Sequence, residues 1–433
     1  MSKDSPSPLA TKRIPSIDRF RGLVIICMIL FQFAEHFKNL GKWATVSLHA
    51  PNENAIYILP NLSLADLVAP AFILAIGLTF MPSMKRRIEK QGRKEAVSHF
   101  LRRYLTLIGI GIAMNGINDI LDGNDDLVSK IAIGLTALVL LFGVIALILK
   151  LAKVKNREKF YKVYWVYMCI VGVFGIVVAI INAFMLVTGR TDESYGHWLV
   201  LHHIGFAGLV AIPFALLPDK TGHYIRLLAG LGILSLYAVF HEGNLKNDLF
   251  PNNLELIDKV ADGGFIGGFA WGAMLLLYLF FAEEFRKRKN KYLPPASFGI
   301  FTIVFIGLLW SIFKTLPETD TWAGALSGFL PINKGSVSPS YVLITTYLAL
   351  LVFYIFELFN SLETKFDILA WWGKNPILMY CIEFGFVGAL TAALGDYFET
   401  APAPIGAAFV IGVGVLLTVV AYILDKKKII IKL

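Results

Sequence analysis

A histidine and an aspartate near the second long apolar run are the residues best suited to acid–base chemistry. His49 lies in the polar segment between the first two apolar runs, and Asp66 lies inside the second run. A histidine can take a proton from a nucleophile or accept an acyl group itself. A nearby carboxylate would fix its tautomer and stabilise the imidazolium. A lone loop histidine is more often a solvated surface residue. Asp66 occupies a costly position inside an apolar run, which makes it a better functional candidate than any acid in a loop.

Polar residues also occur at both ends of the first apolar run. Asp18 and Arg21 belong to the segment S-I-D-R-F-R-G at its start, where a simple interfacial ion pair is the alternative to a functional role. Gln32, Glu35 and His36 lie toward its other end, where contact with water at the membrane interface would also explain Glu35 and His36.

Two later groups complete the set of candidates. His202 and His203 are adjacent, and neighbours on a helix point about 100° apart, so they do not form a metal pair by themselves. Lys334 could bind an anionic group, whereas Ser338 and Ser340 either cap the helix that follows or contact a ligand. The sequence has no C-x-x-C or His-x-x-x-His pattern, and we expect no metal.

The elements that must position these residues are membrane-spanning helices. Hydrophobic residues make up 56% of the 433 residues and charged residues 16%, against about a quarter charged in a soluble domain. A spanning helix needs about 20 mostly apolar residues, and we predict an all-α, polytopic helix bundle with twelve spans. These are residues 22–37, 62–82, 103–118, 128–150, 163–187, 198–217, 225–241, 263–282, 297–314, 339–358, 369–394 and 404–424.

The distribution of charge predicts the orientation of the bundle. The net charge of +9 comes from short Lys and Arg clusters between apolar runs, such as the one that begins at Lys85 and the one that begins at Arg286. With twelve spans every such cluster falls on one side, which predicts cytoplasmic termini and argues against nucleic acid as a partner. The three long loops on the other side are 38–61, 242–262 and 315–338, and loops of that length are often functional.

Taken in order, these segments resemble the heparan-α-glucosaminide N-acetyltransferase family and its bacterial relatives. The family's S-x-D-x-F-R-G, His-Ala, A-D-L-V-x-P-x-F, N-K-x-x-x-S-x-S-Y and G-x-N-x-I-x-x-Y elements all have counterparts. They are matched by Ser16, Asp18, Phe20, Arg21, Gly22, His49, Ala50, Ala65, Asp66, Leu67, Val68, Pro70, Phe72, Asn333, Lys334, Ser338, Ser340, Tyr341, Gly373, Asn375, Ile377 and Tyr380. Residues 128–188 look like an inserted helical hairpin within a single domain that covers 1–433.

The resemblance implies an acyltransferase of the inner, cytoplasmic membrane. It would move an acetyl group from cytoplasmic acetyl-CoA to an amine or hydroxyl of an extracytoplasmic glycan or sugar. His49 corresponds to the catalytic histidine of the family, Asp66 would orient it, and Gln32 stands where the family has an asparagine and would polarise the thioester carbonyl. Residues assigned to cofactor binding are Asp18, Arg21, His203, Asn333, Lys334, Ser340, Asn375 and Tyr380.

Several alternatives remain open from the sequence. His36 is a second candidate base, because His49 lies further from Asp66 than in the family pattern. A secondary transporter or a lipid or glycan flippase would also have many spans and intramembrane acids, although such proteins often consist of two similar halves that are not visible here. Membrane lipids are expected partners, and a homodimer is left open.

Overall fold

The computed structural model is mostly helical. It describes residues 14–34, 37, 49, 57–122, 127–151, 157–187, 198, 200–242, 261–290, 292–315, 332–360, 367–382, 385, 394–395, 397 and 400–429. Its helices are α1 (Pro15–Ala34), α2 (Val68–Gln91), α3 (Arg93–Asp122), α4 (Leu127–Leu151), α5 (Arg157–Val187), α6 (Val200–Ala215), α7 (Asp219–Glu242), α8 (Gly264–Lys287), α9 (Ala296–Thr315), α10 (Pro339–Leu358), α11 (Ile368–Gly373) and α12 (Ala403–Lys426). Short 3-10 turns, Ala65–Leu67 and Ala261–Gly263, precede α2 and α8. An antiparallel pair of short strands, β1 (Tyr57–Leu59) and β2 (Leu62–Ser63), precedes the first of these turns.

Each predicted span overlaps a helix, but several boundaries differ. Helix α1 begins at Pro15 rather than near residue 22, so the segment S-I-D-R-F-R-G is helical. The predicted short third span lies within α3, which has 30 residues. The predicted eleventh span, 369–394, is interrupted, because α11 ends at Gly373 and a second helical stretch covers 376–382. The count of twelve crossings and the cytoplasmic termini stay predictions.

Six helices in the described part of the chain are long and apolar enough to cross a membrane. They are Ala65–Gln91, Glu158–Ile181, Thr221–Val239, Gly264–Lys287, Pro339–Leu358 and Ala403–Lys426. Helix α8 is the central element, with 83% of its apolar window buried, whereas the corresponding share is 22% for α5 and for α12. The exposed side chains of α5 and α12 are mainly Val, Ile and Leu, as expected of surfaces that face lipid tails. The chain is therefore a multi-pass membrane protein.

Close backbone contact joins the two ends of the chain. A Cβ atom added at Gly22 of α1 would lie 1.7 Å from the carbonyl oxygen of Leu369, and one added at Gly373 would lie 1.8 Å from that of Asp18. Any larger side chain would push α1 and α11 apart. The ion pair between Arg19 and Asp367, 2.7 Å long, holds the same two segments together. The glycines of the first and last motifs are thus packing residues.

Helix α2 contains a proline whose effect is repaired by a neighbouring helix. Pro82 lacks the N–H that would bond to the carbonyl of Leu78, four residues earlier. The guanidinium of Arg286, near the end of α8, donates to that carbonyl. Since Asp66 lies in the 3-10 turn just before α2, this contact helps to hold the helix that follows Asp66 in place.

Candidate active site

The structure brings His49 and Asp66 into direct contact. The distance from His49 Nδ1 to Asp66 Oδ1 is 2.7 Å. Asp66 is completely buried, whereas the His49 side chain is 43% exposed. A buried carboxylate that touches one imidazole nitrogen can hold the proton on that nitrogen, so that the other, Nε2, carries the lone pair that accepts a proton.

Local backbone structure fixes Asp66. Its Oδ2 accepts hydrogen bonds from the backbone N–H and the hydroxyl of Ser63, both at 2.9 Å. Ser63 ends the short strand β2, and Asp66 lies in the 3-10 turn that follows. The hydroxyl of Tyr341, in the first turn of α10, donates to the backbone carbonyl of Asp66 at 2.9 Å. Ser63 therefore fixes the carboxylate of Asp66, and Tyr341 fixes its backbone.

Lys334 and Asp262 complete a cluster with His49 and Asp66, which is called the outer cluster because the predicted topology places it on the side opposite the termini. Lys334 Nζ lies 3.2 Å from His49 Nδ1, 4.0 Å from Asp66 Oδ1 and 3.6 Å from Asp262 Oδ1. Asp262 was not among the residues predicted from the sequence. It has φ 56° and precedes two glycines that also have positive φ, Gly263 at 74° and Gly264 at 55°. The sequence A-D-G-G before an apolar run was the available signal, because a left-handed acidic residue beside glycines is often part of a site.

The loop that carries Lys334 directly precedes α10 and is closed by its own hydrogen bonds. Asn333 Oδ1 accepts from the Ser336 backbone N–H at 3.2 Å, and the Ser338 hydroxyl accepts from the backbone N–H groups of Asn333 and Tyr341. Ser338 thus caps α10, which is one of the two roles that the sequence left open for it. Ser340 is buried in the first turn of α10. The Asn333 side chain thus shapes the loop that presents Lys334.

His203 lies near this outer cluster. Its imidazole is buried in α6, with its ring centroid 5.6 Å from that of Trp271. Asp262 and Lys334 are the charged groups that act on it. Of the eight residues predicted to bind the cofactor, four lie near His49 and the outer cluster: His203, Asn333, Lys334 and Ser340.

A basic cavity of about 520 Å³ lies at the other end of α2. Two predicted residues, Arg21 and Asn375, line it. Within the described part of the chain, its other basic lining residues and its one lining histidine are Arg86, Arg87, Arg103, Lys374 and His99. Apolar residues that include Phe72, Leu107 and Ile110 form its remaining wall. The cavity thus combines a strongly cationic rim with an apolar interior.

Two residues of α3 show how cationic this cavity is. The Nε atom of Arg103 is buried and has no hydrogen-bond partner among the described residues. His99 precedes the predicted third span, and its pKa is lowered to about 4 by burial and by the positive charges of Arg87, Arg103 and Arg102. An anion in the cavity would give Arg103 a partner and relieve this repulsion.

The two sites lie on one helical segment. Asp66 and Arg86 are 20 residues apart on Ala65–Gln91, which at about 1.5 Å per residue corresponds to about 30 Å. The lining of the cavity extends to Phe72, about 9 Å along the helix from Asp66. An extended molecule anchored at the basic rim would therefore point toward the histidine.

The remaining predicted residues are placed as follows. Asp18 is buried and pairs with Arg21 at 3.7 Å, as expected of an interfacial ion pair. The Asn375 amide donates to the carbonyl of Ile429 at 2.9 Å, and Tyr380 is buried in the helical stretch that follows. Gln32 is in the last turn of α1, but its side chain is outside the described residues, as is all of His36. Among the described residues, no three His, Cys, Asp or Glu side chains are grouped as metal ligands would be.

Comparison with known proteins identifies a related family. Residues 13–124 match the family model described as heparan-alpha-glucosaminide N-acetyltransferase, catalytic. This segment is about a quarter of the chain; it runs from α1 to α3 and includes Asp18, Arg21, His49 and Asp66. The segments around Lys334 and Asn375 lie outside it. No curated protein matches the chain. The match confirms the resemblance indicated by the motifs: over its first three helices, this chain is similar to the catalytic region of the heparan-α-glucosaminide N-acetyltransferase family.

Proposed function

We propose that the protein is a membrane-embedded acetyltransferase. It transfers an acetyl group from cytoplasmic acetyl-CoA to an amine or hydroxyl group of a glycan or sugar on the opposite side of the membrane. The observation that carries this proposal is the His49–Asp66 pair, 2.7 Å apart, at one end of the helical segment whose other end lines a basic cavity. The family match supports acetyl transfer to a glycan as the type of reaction.

The basic cavity fits the donor substrate. CoA carries several phosphate charges, and arginine and lysine are the side chains that bind phosphate in proteins. Arg21, Arg86, Arg87, Arg103 and Lys374 line the cavity, and the buried Nε of Arg103 supplies a donor for a phosphate oxygen. The apolar wall suits the pantetheine arm, which would extend along α2 toward the outer cluster.

The outer cluster fits the acceptor half-reaction. His49 Nε2 would take the proton from the acceptor amine or hydroxyl while that group attacks the thioester carbonyl. A new C–N or C–O bond forms, the C–S bond breaks, and the proton passes to the CoA thiolate. Asp66 holds the imidazole in the required tautomer. Transient acetylation of His49 itself would use the same residues, with one transfer to the ring and a second to the acceptor.

The direct test follows the acetyl group. Purified protein is incubated with acetyl-CoA labelled in the acetyl group and with an extract of envelope glycans. We expect label to appear in the glycan fraction. The His49→Ala variant should reduce this transfer about 10²–10⁴-fold, the usual contribution of general acid–base catalysis. Label that never leaves CoA in the presence of the extract would refute the proposal.

A matched variant and a binding measurement separate the alternatives. His36→Ala should remain active; if it is inactive while His49→Ala is active, the base has been assigned to the wrong histidine. CoA alone should raise the melting temperature of the protein, less so at high salt. Without such a shift at millimolar CoA, the transporter reading would be favoured.

A further inference from the structure

His49 Nδ1 has two close neighbours of opposite charge. Asp66 Oδ1 is 2.7 Å away and Lys334 Nζ is 3.2 Å away. If Nδ1 carried a lone pair, it would face a carboxylate oxygen at 2.7 Å with no hydrogen between them, which is repulsive. The shorter contact therefore assigns the hydrogen to Nδ1, and an ammonium group cannot donate to that N–H. Lys334 must be held beside the ring by something other than the imidazole.

Two carboxylates hold the ammonium group in place. Lys334 Nζ is 3.6 Å from Asp262 and 4.0 Å from Asp66. The side chains of Lys334 and Asp262 are only 14% and 12% exposed. The backbone N–H of Gly263 bonds to the carbonyl of Gly335 at 2.5 Å, so the segments that carry the two side chains are fastened together. The Lys334–Asp262 ion pair is thus largely buried and held by the backbone of both segments, unlike a surface ion pair.

The charges around His49 determine how readily its ring is protonated. With a neutral ring, the cluster has one positive charge, on Lys334, and two negative charges, on Asp66 and Asp262. Protonation of His49 brings the sum to zero. Lys334 opposes that protonation, and the two carboxylates favour it. Within the described part of the chain, other titratable groups near the cluster include His203, which faces Asp262 and Lys334, and Tyr341, whose hydroxyl bonds to the Asp66 backbone.

We propose that Lys334 and Asp262 are positioning residues that set the proton affinity of His49. Lys334 places a positive charge 3.2 Å from the ring, which disfavours the imidazolium relative to the neutral base. Asp262 draws the ammonium group toward itself, so that the Asp66 carboxylate remains engaged with His49 Nδ1. This role rests on the proposed function of His49, but it concerns residues outside the segment that matches the family model.

The test measures protonation of His49 without needing an acceptor. Diethyl pyrocarbonate modifies neutral imidazole, so the rate of His49 modification against pH, read by peptide mass spectrometry, gives a midpoint. Lys334→Met should raise that midpoint by about half a pH unit to one unit, the scale of a unit charge a few ångströms away in a partly solvated site. Asp262→Asn should lower it, because the negative charge that offsets Lys334 is lost, and asparagine tolerates the left-handed backbone at this position.

Controls distinguish this role from a structural one. Lys334→Arg keeps the positive charge and should leave the midpoint near the wild-type value. A mere loss of structure would move the midpoints of Lys334→Met and Asp262→Asn in the same direction, which would overturn the proposal, as would no movement in either. If the two variants shift the midpoint of His49 modification in opposite directions but the protein transfers no acetyl group to any glycan, the role of Lys334 and Asp262 is supported. The proposed function is then refuted instead.

Discussion

Asp66→Asn should remove most acetyl transfer although it leaves the number of heavy atoms in the side chain unchanged. Asp66 accepts from the Ser63 backbone N–H and hydroxyl on Oδ2 and from His49 Nδ1 on Oδ1. Asparagine has one oxygen acceptor and one NH₂ donor. Since the Ser63 backbone N–H can only donate, the amide oxygen must face Ser63. The NH₂ group then faces His49 Nδ1, which forces the ring hydrogen to Nε2 and removes the base.

The size of the loss in activity follows from the cost of the other orientation of the asparagine amide. Turning the amide so that its oxygen faces His49 leaves a buried N–H unsatisfied, at a cost of about 1–3 kcal/mol. That cost makes the productive arrangement about 5- to 150-fold less populated than the unproductive one. Loss of the carboxylate charge also removes stabilisation of the imidazolium. We therefore expect a loss of about 10²-fold or more, within the 10²–10⁴-fold range of general acid–base catalysis.

The assay is the initial rate of label transfer from acetyl-CoA to the glycan extract. The CoA-induced shift in melting temperature serves as a check on folding and donor binding. Asp367→Asn is the matched control: Asp367 caps α11 and pairs with Arg19 but lies outside both sites, so this variant should be active. If Asp66→Asn keeps more than about a third of the wild-type rate with a normal CoA shift, the carboxylate does not fix the tautomer of His49.

Four further predictions concern packing, the donor cavity and topology. Gly22→Ala should lower stability by at least about 1–3 kcal/mol, seen as a lower melting temperature, because the added methyl group would lie 1.7 Å from the Leu369 carbonyl oxygen. Arg103→Gln should weaken CoA binding about tenfold or more and flatten its salt dependence in calorimetric titrations, because a buried charged donor is lost. Bound phosphate should raise the pKa of His99 from about 4, so CoA binding should tighten as the pH falls below about 6.5, relative to His99→Gln at the same pH. Reporter fusions at the C-terminus and in the loop 242–262 should report opposite sides of the membrane; reports from the same side would remove one span.

Helix positions were readily predicted from the sequence, whereas their limits were not. Long apolar runs identify spans because a bilayer leaves few other structures for the backbone. The ends are harder, since polar residues continue a helix beyond the apolar core, as in α3, where the helix begins at Arg93 rather than near 103. The break between Gly373 and the helical stretch 376–382 was missed because the surrounding residues are apolar on both sides.

The candidate site was predicted in part. His49, Asp66 and Lys334 were each selected from the sequence, and the assignment of Lys334 to cofactor binding stays a prediction. Asp262 was not selected, since a single acid at the edge of an apolar run has no distinctive spacing. A site built from residues more than 200 positions apart, as His49 and Lys334 are, leaves no local periodicity to detect.

Composition and charge pattern by themselves determined that this chain is a helical membrane protein, because the cost of burying polar backbone and charge in lipid acts on each segment separately. The ordered motifs determined the family it resembles. Only the tertiary structure decided which polar residues act together. It joined His49 to Asp66, placed Lys334 between them and Asp262, and gathered the cationic residues of α1, α2, α3 and the segment after α11 into one cavity. Those contacts depend on how the helices pack against one another. Packing depends on the side chains of several helices at once, so no single segment of the sequence reveals it.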